Sequence, residues 1–106
     1  MRRACRTDSN QTQIVAALRA AGCSVQCLHQ LGGGVPDLLI GRVTPGGVKL
    51  NYLLEVKDGS KPLSKRSLTP EEVQWHQGWK GQVNTVTSVR EALQVVGIFE
   101  FETIPF

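Results

Sequence analysis

The chain has 106 residues, a formal net charge of +3 and 41% hydrophobic residues. That length fits one domain, residues 1–106, with apolar side chains enough for a single core, and the composition excludes a disordered chain. No apolar stretch is long enough to span a bilayer, and no apolar signal core follows Arg2, Arg3 and Arg6, so the expectation is a cytoplasmic protein without a membrane partner.

Residues 1–8 read as a flexible basic arm. "DSNQTQIVAALRAAG" reads as a helix: Asp8 or Ser9 caps it, Gly22 stops it, and Ile14, Val15, Leu18 and Ala21 form its apolar stripe. A strand is expected from about Ser24 to His29, then a turn at "GGGVP". "DLLIGR" is a second strand, and its unbroken apolar run suggests burial on both faces. "TPGG" is a hairpin turn, and "VKLNYLLEVK" is the third strand, so the second and third pair antiparallel.

A polar loop, "DGSKPLSKRSL", leads to the helix "TPEEVQWHQGWKG", with Thr69 as cap, Pro70 at the first position and Glu72 closing a capping box. "QVNTVT" is a fourth strand. "SVREALQVVG" is a last helix, with Ser88 and Glu91 as its capping box and Gly97 as its stop. "IFEFETIPF" is a short edge strand or an extended tail. The order is α-β-β-β-α-β-α, an α/β chain with a mixed central sheet flanked by helices. The crossover from third to fourth strand makes a right-handed parallel unit.

Three cysteines, Cys5, Cys23 and Cys27, are an odd number, which argues against a disulfide framework. Cys23 and Cys27 read as small buried hydrophobes, and their spacing with His29 fits no common zinc pattern.

The chemistry lies where acidic residues interrupt the apolar runs. Side chains alternate across a strand, so Glu55 and Lys57 share a face, about 7 Å apart. A hairpin turning at Pro45–Gly47 puts Asp37 across from Glu55. Two buried carboxylates repel unless one keeps a proton or a cation joins them. Mg²⁺ (or Mn²⁺) suits the pair, since it takes a few carboxylate oxygens and keeps several waters. Lys57 beside it could orient a nucleophile or stabilise charge on a phosphate. No small-molecule cofactor is implied. "GGGVPD" lacks the Gly-Lys-Ser/Thr of a P-loop.

Charge distribution points to a nucleic acid. Residues 1–66 hold ten Lys/Arg against four Asp/Glu, a net of +6, and residues 67–106 hold two against five, a net of −3. Lys61, Lys65 and Arg66 would contact flanking phosphates, and Gly33 and Gly34 would let a DNA backbone approach the cation. The competing readings are a solvated basic loop and a sharp turn.

Pro36-Asp37 followed by Glu55-Val56-Lys57 resembles the PD-(D/E)XK nuclease signature, and the element order resembles its restriction-endonuclease-like core. "NQTQIVAALRAAG", "GGGVPDLLIG", "NYLLEVKDG", "LTPEEVQWHQGW" and "GQVNTVTSVREAL" together resemble the virus-type replication-repair nuclease (VRR-NUC) domains, many of them stand-alone phage or bacterial proteins. The resemblance covers roughly residues 8–97.

It implies that Asp37, Glu55 and the Val56 carbonyl hold the metal and that Lys57 is the catalytic lysine. Many relatives have a glutamate where this chain has Gln11, a candidate catalytic-site residue whose amide oxygen could hold a metal-bound water but brings no charge; Gln11 also reads as the capping-box partner of Asp8. Relatives often have a glutamine where Glu72 stands. Glu72 is read as a cap partner first. His76, one turn on, either faces the same cleft or is solvated. Trp75 and Trp79 read as core or dimer contacts, or as a surface for base stacking. The function implied is a metal-dependent structure-specific DNA endonuclease, similar to Holliday-junction resolvases, acting on branched DNA as a homodimer. The alternatives are a nuclease on flap, nicked or linear DNA and a catalytically silent nucleic-acid-binding module.

Overall fold

A computed structural model describes residues 9–98. The basic arm, the Asp8 cap and the tail beyond Ile98 lie outside the described residues. The elements are α1 (Ser9–Ala20), β1 (Ser24–Cys27), β2 (Leu38–Val43), β3 (Lys49–Val56), α2 (Pro70–Gly78), β4 (Asn84–Val86) and α3 (Val89–Val95), with single 3₁₀ turns at His29–Leu31 and Leu63–Lys65. The four strands form one sheet in the order β1-β2-β3-β4. The β1–β2 and β2–β3 pairs are antiparallel and the β3–β4 pair is parallel. This is the expected mixed sheet, and the crossover through α2 joins its parallel pair.

The starts of α2 and α3 have local causes. At α2 the Thr69 hydroxyl accepts from the Glu72 N–H, and Glu72 Oε1 accepts from the Thr69 N–H at 2.9 Å, a complete capping box. At α3 the Ser88 hydroxyl accepts from the Glu91 N–H, but Glu91 does not close the expected box. Its Oε1 instead accepts from the N–H and the hydroxyl of Thr87, one residue further back. Thr87 offers two donors where Ser88 offers one backbone N–H.

The core lies on one face of the sheet. Ile14, Val15 and Leu18 of α1 pack with Leu38, Ile40, Leu54, Val56, Val86, Ala92 and Val96. α1 also lies against α3 and β1. Burial along β2 alternates: Leu38 and Ile40 are fully buried, whereas Leu39 is 37% exposed. The apolar run of β2 is therefore buried on its core face and partly open at Leu39 on the other. The first strand ends at Cys27, short of the expected His29, where the chain turns into the 3₁₀ segment.

Trp75 and Trp79 are not core residues. They stack on each other at 4.7 Å, and Trp79 is 45% exposed. No residue of α2 is buried, so polar contacts and close backbone packing hold this helix rather than an apolar stripe. Cys23 is buried and free, as expected, whereas Cys27 is disulfide-bonded. An odd cysteine count excludes complete pairing but leaves room for one bridge. Ile98 packs against the core and its N–H donates to the Leu93 carbonyl.

Candidate active site

The hairpin register sets the site. Leu38 pairs with Leu54 at the end of the β2–β3 ladder, so one further step places Asp37 opposite Glu55. The tight turn fixes this count: Thr44 N–H donates to the Val48 carbonyl and Gly47 N–H to the Thr44 carbonyl, both at 2.8 Å. Leu54 and Val56 face the core, so Glu55 faces the other side of the sheet, toward α2.

Glu55 is only 1% exposed. Burial pushes its carboxyl up to about 10, helped by a hydrogen bond with Asp37, the Asp37 charge, and the charge of Glu72. Its Oε1 is buried and accepts no hydrogen bond among the described residues. Asp37 is held by the backbone, since the Val56 N–H donates to its Oδ2 at 2.7 Å. Lys57 Nζ lies 2.8 Å from Glu72 Oε1, with 15% and 17% of the two side chains exposed. Glu72 therefore does two things with one oxygen: it caps α2 and holds the lysine. Burial pushes its pKa up, but the Lys57 ammonium and the Thr69 N–H outweigh this, and the net shift is downward.

His76 also comes to the site. Its Nε2 is 3.8 Å from Glu55 Oε1, so the solvated reading of this histidine does not hold. The spacing of four residues puts Glu72 and His76 on one face of α2. Gln11 is buried on α1, at 3% exposure, as its place on the apolar stripe predicts. Its neighbour Asn10 donates from Nδ2 to the Lys57 carbonyl at 2.8 Å and so ties α1 to the end of β3. Nothing in the sequence pattern marked Asn10, because a single polar residue in a first helical turn has no distinguishing spacing.

The expected DNA contacts divide. Gly33 has a positive φ, and a side chain there would meet open space. At Gly34 the corresponding space is filled by the Glu71 backbone of α2. Gly34 thus lets a helix approach closely. Lys61 and Lys65 are exposed, and Arg66 is half-buried with its Nε donating to the Lys61 carbonyl at 2.7 Å. Asp58 sits among these bases and offsets part of their charge; hydrogen bonds from Ser60, and then Lys61 and Arg66, lower its pKa.

The oxygen donors fit a hard divalent cation. Among the described residues no group of three or more His, Cys, Asp and Glu side chains is placed to hold a metal ion. Asp37, Glu55 and the Val56 carbonyl are the oxygen groups here that could hold such a cation, and Mg²⁺ needs few protein oxygens because it retains several waters.

A solved structure described as a VRR_NUC domain superposes on this chain with a TM-score of 0.55, covering 85% of this chain and 92% of the other at 23% identity. The fold is that of a VRR-NUC domain. No family model and no curated protein matches the sequence. Among the described residues, no helix is long and apolar enough to cross a membrane.

Proposed function

We propose that this protein is a Mg²⁺- or Mn²⁺-dependent DNA endonuclease that hydrolyses phosphodiester bonds. The observation that carries this reading is the pairing of Asp37 with a buried, partnerless Glu55 oxygen on the face that also bears Lys57. Asp37, Glu55 and the Val56 carbonyl would hold the cation, which supplies Lewis acidity and an acidified water. Val56 N–H fixes the rotamer of Asp37. Lys57, released from Glu72 or shared with it, places positive charge where the phosphate gains negative charge. Gln11, buried on α1, would bring an amide without charge.

Exposed Lys61 and Lys65, with Arg66, extend the positive surface along the flanking phosphates, and Gly33 leaves room for the backbone. A domain this small has little surface for base readout, which favours recognition of branched DNA by shape. Symmetric cutting of a four-way junction needs two sites, hence a homodimer. Leu39, on the sheet face opposite the core, with its half-buried ladder partner Leu53 and the exposed ring of Trp79, is the apolar surface available for it. The setting is a bacterial cytoplasm, with the gene in a bacterium or a phage.

A panel of four-way, flap, nicked and linear DNAs with Mg²⁺ or Mn²⁺ tests this. Cleavage that is strongest on the four-way junction, disappears with chelator and is lost in Asp37→Ala supports it. The second reading, a silent nucleic-acid-binding module, is favoured by the engagement of Lys57 with Glu72. It predicts junction binding with no cleavage under any metal.

A further inference from the structure

His76 and Glu55 present two unsatisfied polar atoms to each other. His76 Nε2 and Glu55 Oε1 are both buried, both lack a hydrogen-bond partner among the described residues, and lie 3.8 Å apart. That distance exceeds a hydrogen bond by almost 1 Å. Buried polar atoms are nearly always paired, so two complementary orphans facing each other mark a contact made in another state of the site. The imidazole is held in place from behind: the Trp75 ring meets it edge-on at 6.1 Å and 74°. α2 itself is fixed by the Glu72–Lys57 pair and by the seat of Glu71 on Gly34.

We propose that His76 is a positioning residue for Glu55, donating from Nε2–H to Oε1 in the cation-loaded site. This rests on the metal-dependent reading above. A carboxylate that binds a metal through one oxygen needs its other oxygen fixed, or it rotates among several poses. A donor on Oε1 would leave the second oxygen free to hold the cation that Asp37 would also bind. The neutral imidazole suffices, because only a donated N–H is required.

The test measures Mn²⁺ binding to the metal-free full chain, without DNA, by the loss of the free-ion paramagnetic resonance signal at one fixed pH. Wild type, Asp37→Asn, His76→Phe and His76→Gln are compared, with circular dichroism to establish that each is folded. His76→Phe keeps a ring against Trp75 and removes the donor, and His76→Gln restores an N–H. The expected result is Mn²⁺ affinity about 10–100-fold weaker in His76→Phe, with most of it regained in His76→Gln. Wild-type affinity in His76→Phe, or equal loss in both His76 variants, overturns the positioning role while leaving the metal site standing. Absence of Mn²⁺ binding by wild type, or binding indifferent to Asp37→Asn, overturns the metal reading and the positioning role with it.

Discussion

The Val56 N–H donates to Asp37 Oδ2 at 2.7 Å, joining residues nineteen apart in sequence. This bond makes the strand that carries Glu55 also set the angle of the other carboxylate. Asp37→Asn keeps an acceptor for the Val56 N–H and removes the charge. Its melting temperature should stay within the shift expected from about 1 kcal/mol, while cleavage falls by more than ~100-fold. A metal-activated cleavage time course and a thermal melt of the same preparation check both halves. Retained cleavage would remove Asp37 from the metal site.

Glu55 gives the metal-free protein a pH-dependent stability. Its folded carboxyl titrates near 10, far above the ordinary 4.5. Below pH 4.5 both folded and unfolded chains hold the proton, and Glu55 then adds nothing against folding. Above it the unfolded chain releases the proton and the folded one keeps it, so stability falls as pH rises toward 10. The slope from this group approaches ~1.4 kcal/mol per pH unit. Glu55→Gln should flatten that slope and raise the neutral-pH stability of the metal-free chain, while losing cleavage. Added Mn²⁺ should reverse the wild-type trend, because binding needs the carboxylate and expels its proton. Denaturant melts at pH 5, 7 and 9, with chelator and with Mn²⁺, measure this.

Variants at Lys57 and Glu72 should separate cleavage from stability. Glu72 is held below its ordinary pKa, so its pairing stabilises the fold above that ordinary value and is lost as the solution is acidified through the lowered one. Glu72→Gln keeps an oxygen for the Thr69 N–H and weakens the hold on Lys57. It should cost about 1 kcal/mol and leave cleavage within a few-fold. Lys57→Met should abolish cleavage while Mn²⁺ affinity stays near wild type, since the ammonium is no ligand. Parallel cleavage and Mn²⁺ titrations distinguish the two variants. Cleavage by Lys57→Met at wild-type rate excludes the catalytic role.

The elements that could be read from the chain were those with local physical signals. The capping residues Thr69 and Glu72, and the Pro45–Gly47 turn, depend only on neighbours, and from the turn the Asp37–Glu55 register followed by counting. What could not be read was where α2 lies relative to the sheet. Neither the 3.8 Å approach of His76 to Glu55 nor the 2.8 Å Lys57–Glu72 pair is visible in the spacing, because a crossover loop intervenes. For the same reason Trp75 and Trp79 looked like core: their four-residue spacing reports a shared helix face, and says nothing about what covers it. The burial of Leu39 was overestimated because an apolar run does not reveal whether a helix lies over the second face of a sheet.

Gly34 controls where α2 can sit, and through it His76 and Glu72. Its φ is +83°, and a methyl group there would run into the Glu71 carbonyl. Relief needs either a shift of the loop before Asp37 or a retreat of the first turn of α2, and the Thr69 capping box resists the latter. Gly34→Ala should therefore destabilise the fold by more than the ~1 kcal/mol typical of a left-handed alanine. Gly33→Ala has the same backbone cost, at φ +67°, but meets open space, so its loss should stop near that figure. The two should also part in activity. Retreat of α2 loosens the Lys57–Glu72 pair and widens the His76–Glu55 gap, so Gly34→Ala should cleave more slowly even below its melting temperature. Gly33→Ala should lose activity only if its side chain meets DNA, which appears as a higher KM at unchanged kcat. Denaturant melts and steady-state cleavage of both variants decide this, and equal behaviour of the pair would show that the close packing of α2 on the loop carries no weight.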